Sequence, residues 1–570
     1  MTATMTRTVS TVVAEVAAER SSAIYGVMGN GNAYIVGHLT ATGAPYVPMR
    51  HEAGTVAAAH AHALAGGGVA TATTTYGAGF TNTLTPLAEA RLARVPLVLI
   101  AGACPSSGPR WWDVDQRAIT GDLGIPWVAL GTGGVAATVH HAYDLAQHDR
   151  TPVVLAVPYD LSTEPAEGPA RGPTTVRGAS AEARPAYPRG GPGPIPQTGE
   201  GASAEASAAQ VDPDQVDQVV HLLHGAQRPL LLLGRGAHLA GAGEDLREVG
   251  DRVGALFATS AMAAGLPASP WNVGIAGGFS TPGAWDLITG ADVVLAVGIS
   301  LNDFQDQGGQ LLAGARHVIQ VDTAAGPTHQ HVDTFVRADA AEFAAALLRR
   351  LEPSSSATWR DAAPHAAGDL RMDVTALSEL AADGRLDPRV VARRLDELLP
   401  AGRALVHDGG QFIGWMPQHA RIGDPGELLL VGTALQTIGL GAASAVGAAR
   451  ARPERTTVLV MGDGGGQMGL ADLVTFVTEA RSGVVVVFND AAYGAELHQY
   501  AAKGVHRGGM LLAEVDFAAL GAALGARSAR VRRLADLQVL QEWTQAGARG
   551  VLVLDVAVSR TIAADFFRGP

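Results

Sequence analysis

"VLVMGDGGGQMGLADLVTFVTEARSGVVVVFND", Val458 to Asp490, contains two apolar β-forming runs that each end in a carboxylate. The first ends in Gly462, Asp463 and Gly464, and the second, 27 residues beyond Asp463, in Asn489 and Asp490. A segment of helical length lies between them. Ligands of an open parallel sheet bind beyond the carboxyl ends of its strands, so both carboxylates are expected to face one crevice. Flanking glycines let the backbone approach a phosphate, and a helix starting near Met468 can point its positive end at an anion. Hard carboxylate and carbonyl oxygens suit Mg²⁺ or Ca²⁺. The pattern predicts a metal-diphosphate site; the alternative is a pair of tight turns in which Asp463 caps a helix.

Similar runs recur along the chain: "VPLVLIAG" (95–102), "TPVVLAVP" (151–158), "RPLLLLG" (228–234), "ADVVLAVG" (291–298), "HVIQVD" (317–322) and "TTVLVMG" (456–462). Continuous apolar runs separated by Ala-rich helical segments are the signature of parallel strands covered on both faces. The expected class is α/β, with three doubly wound parallel-sheet domains. Residues 165–211 are rich in Pro, Gly, Ser and Ala, with few large apolar groups, and are expected to form a flexible linker. Strand periodicity also fades over 352–384, around "EPSSSATWRDAAPHAAGD", which is expected to be a second linker. The domains then span 1–164, 212–351 and 385–570. The first and third share an outline, a Gly-rich βα turn early and a strand ending in a polar pair, which suggests duplication.

The chain has 570 residues, 47% of them hydrophobic, with a net charge of −13. That balance, with no basic run, argues against nucleic acid as a partner. The single cysteine, Cys104, excludes an intrachain disulfide framework and a cysteine-based metal site. The N-terminal stretch reads as an ordinary amphipathic helix, and no apolar run approaches the roughly 18 residues of a membrane span. The expectation is a soluble, cytoplasmic protein with small-molecule partners.

The stretch "GDG", 24 residues, then "ND" resembles the thiamine-diphosphate motif of the acetolactate synthase and pyruvate decarboxylase superfamily. The resemblance implies that Asp463, Asp490 and the carbonyl of Ala492 hold Mg²⁺, with Gly462, Gly464 and Gly465 near the diphosphate. Asp490 stands where asparagine is commoner, adding one negative charge. "PMRHEAGTVAAAHAHALAGG" (48–67) resembles the family's RHE segment and implies that Glu52 hydrogen-bonds the aminopyrimidine N1′. There a carboxyl favours the imino tautomer that removes the thiazolium C2 proton. Read without the family, Glu52 is a first-turn residue stabilised by the helix dipole.

"TTYGAGFTN" (74–82) is similar to the family's TSGPGATN loop, which implies a cofactor contact for Asn82. "LVHDGGQF" (405–412) resembles its DVGQH loop, making Gly410, Gln411 and Phe412 diphosphate candidates. "ALQTIGLGAASAVGAA" (434–449) is similar to the segment in which an apolar residue wedges between the cofactor rings. Ile438 falls on that wedge, and the Gln436 carbonyl on the acceptor for N4′. Because members of the family place the glutamate and the GDG site on different subunits, the resemblance implies a homodimer or homotetramer.

Glu496 lies where decarboxylases of the family carry a catalytic glutamate, and Asn30 where they carry an aspartate. A carboxyl raised by burial can protonate a carbanion, whereas Asn30 can only orient a carbonyl at neutral pH. Gln116 matches a glutamine that reaches the neighbouring subunit's site in acetolactate synthases; Asp115 replaces the accompanying phenylalanine. Trp111 and Trp112, in the inserted "RWWD", read as an aromatic wall or a packed corner, and His60, His62, His140 and His141 as helix packing residues. In the middle domain Gly234 and Gly236 form a lone GRG, a weak nucleotide signal, and "SLNDF" (300–304) lacks the arginines of the family's FAD stretch, which makes FAD doubtful.

The expected activity is decarboxylation of a 2-oxo acid, with thiamine diphosphate and Mg²⁺, followed by ligation to a carbonyl acceptor. The competing readings are a simple 2-oxo acid decarboxylase of the benzoylformate or indolepyruvate type and a catalytically silent cofactor-binding homologue.

Overall fold

The apolar runs become the inner strands of three sheets in the computed structural model, which describes residues 7–166, 174–176, 211–353 and 359–564. The first sheet runs Tyr46–Pro48, Ile24–Gly26, Ala70–Thr74, Leu97–Ala103, Pro152–Pro158, Trp127–Ala129, all parallel, and Thr174–Val176 adds an antiparallel edge. The second runs Asn272–Ile275, Leu256–Thr259, Pro229–Leu233, Val293–Val297, His317–Asp322, Thr334–Arg337. The third runs Leu428–Leu430, Arg403–His407, Thr456–Gly462, Ser482–Asn489, Gly550–Ala557, Arg527–Val531. The last two are parallel throughout. Helices lie on both faces, so the inner strands are buried along their length and need no polar alternation.

The six parallel strands of the first sheet and the six of the third follow one spatial order: second, first, third, fourth, sixth, fifth in the chain order of each. The middle sheet has its first three strands reversed and the rest in sequence. Register in the third sheet sets the geometry of the quoted stretch. Gly462 lies opposite Phe488, and His407 opposite Val460, so the loops after three neighbouring strands emerge at the same end.

The first and third domains share one hydrophobic core, which runs from Val47 and Val56 to Val458 and Val484. Its seam is the contact between helices Glu52–Leu64 and Gly441–Ala451. The backbones approach so closely that a Cβ on Gly447 would lie 2.0 Å from the Ala58 carbonyl oxygen. Beside it, a Cβ on Gly54 would lie 1.9 Å from Asp472 Oδ2, and Asp472 Oδ1 accepts the Arg50 amide at 3.0 Å. The helices carry small residues because only these permit that approach.

Much of 165–211 lies outside the described residues. The stretch expected as a second linker is partly packed. Trp359, Ala363 and Ala366 are buried against the middle sheet. Arg360 donates twice to the Ala255 carbonyl, at 2.9 and 2.7 Å, and pairs with Asp251 at 2.8 Å. Its helical turns are only four residues long, too short to show a period. Among the described residues no helix is long and apolar enough to cross a membrane.

Gly447→Val is expected to destabilise the protein by about 2 kcal/mol, because the added side chain must push the two helices apart. Urea unfolding followed by circular dichroism measures it; an unchanged midpoint would mean that this contact does not set the domain seam.

Candidate active site

Asp463 opens helix Asp463–Met468 directly after its strand, and Asp490 follows the neighbouring strand. The register brings them side by side in the interior, with 1% and 7% of their surface exposed. Burial, and then the adjacent Asp490 charge, hold the Asp463 carboxyl well above the usual carboxylate range. Burial raises Asp490 as well, offset in part by hydrogen bonds from Asp463 and the Ala492 amide and, less, by Arg560 and Arg385. Asp463 Oδ2 accepts no hydrogen bond among the described residues. Two buried carboxylates with an unused oxygen form a donor set for a hard cation.

The backbone around the pair is adapted to close approach. Ala492 donates its amide to Asp490 Oδ1 at 3.1 Å, and Ala491 between them takes φ +54°, a conformation uncommon for a residue with a side chain. A Cβ on Gly464 would lie 2.7 Å from the Tyr493 ring, and one on Gly465 would lie 2.3 Å from Asp408 Oδ2. One on Gly462 would meet the Phe412 ring at 3.0 Å. Phe412 stacks on Phe488 with centroids 6.3 Å apart. Gly410 takes φ +133°, and Gln411, buried beside it, donates to the Ile562 carbonyl at 3.3 Å with its own Oε1 unpaired among the described residues.

Two acidic residues organise this cradle and escaped the sequence reading. Asp408 accepts the Gly409 and Gly439 amides, each at 2.9 Å, and so ties the 405–412 loop to the segment bearing Ile438. Burial pushes its carboxyl up to about 6, and the amides of Gly409, Gly439, Leu440 and Gly441 act against the shift. Glu89 belongs to the first domain yet accepts the amides of Gly432, Ala434 and Leu435 at 2.9, 3.3 and 2.6 Å. It clamps the turn that leads into Gln436, which takes φ +58° and is exposed, and into half-buried Ile438. Asp408 stood inside a quoted motif without a role; Glu89 has no local signal in "LAEARLARV".

A second group lies on the first domain. Glu52 opens helix Glu52–Leu64, and Asn82 Nδ2 donates to its Oε2 at 3.0 Å. Asn30 is exposed and donates to the Tyr76 hydroxyl at 2.7 Å. Among the described residues no hydrogen bond joins Glu52 or Asn82 to the Asp463 cluster of the same chain. Gln116 is turned inward, its Nε2 on the Gly102 carbonyl at 2.7 Å. Glu496 lies exposed in the first turn of helix Gly494–Tyr500, two residues after a glycine whose Cβ would meet Asp490 Oδ2 at 2.9 Å.

The RWWD insertion is an exposed rim. Trp111, 90% exposed, meets Trp112 edge-on at 4.9 Å. Arg110 forks onto Asp113 and covers the Tyr76 ring at 4.2 Å. His60 is buried, its pKa lowered to about 3 by burial, and His62 bonds Ser22 and Tyr25; both are packing groups. In the middle domain, a Cβ on Gly234 would lie 2.1 Å from the Gly298 carbonyl oxygen, and one on Gly236 would lie 2.7 Å from Gly298 Cα. These glycines serve chain packing, and Arg235 between them is spent on the Ala93 carbonyl.

Family models for thiamine pyrophosphate enzymes match throughout: the N-terminal TPP binding domain at residues 7–119, the central domain at 216–347 and the C-terminal TPP binding domain at 408–556. The chain is 27% identical over 467 residues to the acetolactate synthase large subunit of Parasynechococcus marenigrum, covering 78% of this chain and 69% of that protein. It is 28% identical over 542 residues to "Probable 2-ketoarginine decarboxylase AruI" of Pseudomonas aeruginosa, covering 92% and 89%. The crystal structure of benzoylformate decarboxylase from Polynucleobacter necessarius superposes with a TM-score of 0.76 at 20% identity over 97% of this chain and 99% of that one, a likeness of fold.

Asp490→Asn removes one of two adjacent buried carboxyls that burial holds above the usual range, leaving less charge to bury in the empty site. In EDTA the variant is expected to be more stable than the parent by about 1 kcal/mol, and to gain less from added Mg²⁺. Urea unfolding with and without the ion measures both; a variant less stable in EDTA would contradict the electrostatic reading.

Proposed function

The chain belongs to the thiamine pyrophosphate enzymes, and on that premise we propose that it decarboxylates a 2-oxo acid and transfers the acyl unit to a carbonyl acceptor, with Mg²⁺ and thiamine diphosphate. The observation that carries the reading is the buried pair Asp463 and Asp490, with an unpaired Asp463 oxygen beside a cradle of glycines. Asp463, Asp490 and the Ala492 carbonyl would hold Mg²⁺, with Gly462, Gly464, Gly465, Gly410, Gln411 and Phe412 around the diphosphate. Thiamine diphosphate, when bound, supplies the nucleophilic carbon and the electron sink for decarboxylation.

The residues of this chain bind, orient and move protons around it. Asn82 occupies Glu52 Oε2, which leaves Oε1 to hold or release a proton at the pyrimidine nitrogen. The Gln436 carbonyl would accept the exocyclic amine, and Ile438 would wedge the two rings into a bent conformation. Glu52 of one chain serves the Asp463 cluster of another in this reading, so the working unit is at least a homodimer. Asn82 caps the helix before Leu84–Leu92, which carries Glu89, so one short stretch of chain supports Glu52 in one site and the Ile438 turn in the next.

Ligation is favoured over simple aldehyde release by Asn30. Its amide is committed to the Tyr76 hydroxyl and cannot deliver a proton at neutral pH, so it can orient an acceptor carbonyl but not quench the reaction. Glu496 supports the second reading. It lies in the first turn of helix Gly494–Tyr500, six residues after Asp490, and a carboxyl that protonates the reacting carbon there would give an aldehyde and a simple decarboxylase.

A screen of 2-oxo acids with thiamine diphosphate and Mg²⁺, reading CO₂ and products with and without aldehyde or oxo-acid acceptors, is expected to give CO₂ and a ligated product. Aldehyde alone would overturn ligation, and no CO₂ would overturn catalysis. Glu52→Gln is expected to slow cofactor C2 proton exchange by at least about 100-fold while cofactor binding stays measurable; normal exchange would remove Glu52 from the proton pathway.

A further inference from the structure

A cluster of ligating side chains lies in the middle domain, away from the site above. Asp306 ends the short helix Asp303–Asp306, and its side chain is wholly buried. His329 and His331 come from the irregular segment between strands His317–Asp322 and Thr334–Arg337. Gln320 fastens that segment. Its Nε2 donates to the Ile299 carbonyl at 3.0 Å and to Thr328 Oγ1, and its Oε1 accepts the Thr328 amide at 2.9 Å.

The polar atoms of the cluster are incompletely used. Asp306 Oδ1 accepts the Leu312 amide at 3.1 Å. Asp306 Oδ2 has no hydrogen-bond partner among the described residues; His329 Nε2 stands 2.9 Å away and forms an ion pair with it only when that imidazole is protonated. His331 Nδ1 is buried and equally unpaired. The imidazole rings meet edge-on with centroids 5.0 Å apart, and the ligand atoms of all three residues lie within 4.8 Å of one another. Gly309 takes φ +96°, and a Cβ there would come 3.3 Å from His331 Cε1 and 3.9 Å from Asp306 Oδ2. A buried carboxylate oxygen with no donor is costly unless something else neutralises it.

We propose that Asp306, His329 and His331 bind one divalent cation of the zinc class, cross-linking the 303–312 and 323–333 segments. Two imidazole nitrogens and one carboxylate oxygen suit Zn²⁺, Co²⁺ or Ni²⁺; Mg²⁺ prefers oxygen ligands throughout. The 2.9 Å between His329 Nε2 and Asp306 Oδ2 is close to the roughly 3.0–3.4 Å that separates neighbouring ligands around Zn²⁺ at bond lengths of about 2.0–2.1 Å. His331 completes the set by a side-chain rotation, and water fills the remaining positions. The His331 amide donates to His329 Nδ1 at 3.2 Å, so the neutral ring carries its proton on Nε2. Metal binding at Nε2 moves that proton to Nδ1 and turns the His331 amide away.

The test uses the full chain, stripped with chelator and then kept in excess Mg²⁺ so that the Asp463 site takes no transition metal. Co²⁺ titration is expected to give a visible ligand-field band that saturates at one equivalent per chain and is bleached by Zn²⁺. His329→Ala and His331→Ala should each weaken the Co²⁺ affinity at least about 10-fold. Zn²⁺ should raise the unfolding temperature of the parent and leave theirs unchanged. His331→Gln, which keeps a polar group of similar size, replaces His331→Ala if the latter does not fold. No band, or a band that survives all these substitutions with unchanged affinity, overturns the proposal. Retained binding of Mg²⁺ and cofactor in the same variants separates this result from failure of the catalytic reading.

Discussion

Two carboxylates buried side by side, Asp463 and Asp490, are the constraint around which the third domain is arranged. Folding places them together because their strands are register-locked neighbours, with Gly462 opposite Phe488. Neither can be ionised cheaply next to the other, and Asp463 keeps an oxygen without a donor. The surrounding glycines and the positive φ of Ala491 make sense in the same terms. They bring backbone to within reach of a ligand at some conformational expense, and that expense persists in a fold when the site needs it.

The seam between the first and third domains supplies the second constraint. Helices Glu52–Leu64 and Gly441–Ala451 touch at backbone distance, so the domains behave as one packed body with a shared core. Glu89 adds a polar clamp, a carboxylate of one domain holding three amides of the other. The proposed catalytic halves, Glu52 with Asn82 and Asp463 with Asp490, are thereby held on a rigid body and left to be completed by a second copy. Exposed Leu435 and Met468, which flank the proposed Ile438 wedge and the GDG helix, fit that arrangement.

The fold class and the placing of Asp463 and Asp490 at neighbouring strand ends were legible because they rest on local pattern: apolar runs of strand length, each closed by a carboxylate. The short strands Ile24–Gly26, Tyr46–Pro48 and Trp127–Ala129 were not, since three residues carry no measurable period. Trp359 and Arg360 read as linker because their helical turns are equally short, while their partners Asp251 and Ala255 lie about a hundred residues earlier. Glu89 looked like any helical charge, since its burial depends on a turn more than 300 residues away. Gln116, matched by resemblance to a glutamine that reaches the neighbouring subunit's site, donates within its own chain to the Gly102 carbonyl, a partner that no local pattern announces. The Asp306, His329 and His331 cluster left no spacing motif, because topology brings together two loops on either side of one strand.

The account stands most directly on subunit complementation between Glu52→Gln and Asp463→Ala, each expected to be inactive alone. Unfolded together and refolded, a dimer with sites between chains contains one intact site in each mixed pair, so decarboxylation should return to about a quarter of the parent rate per chain. Recovery of that order is the predicted result. No recovery, with mixed dimers shown to form, would contradict a site divided between Glu52 of one chain and Asp463 of the other.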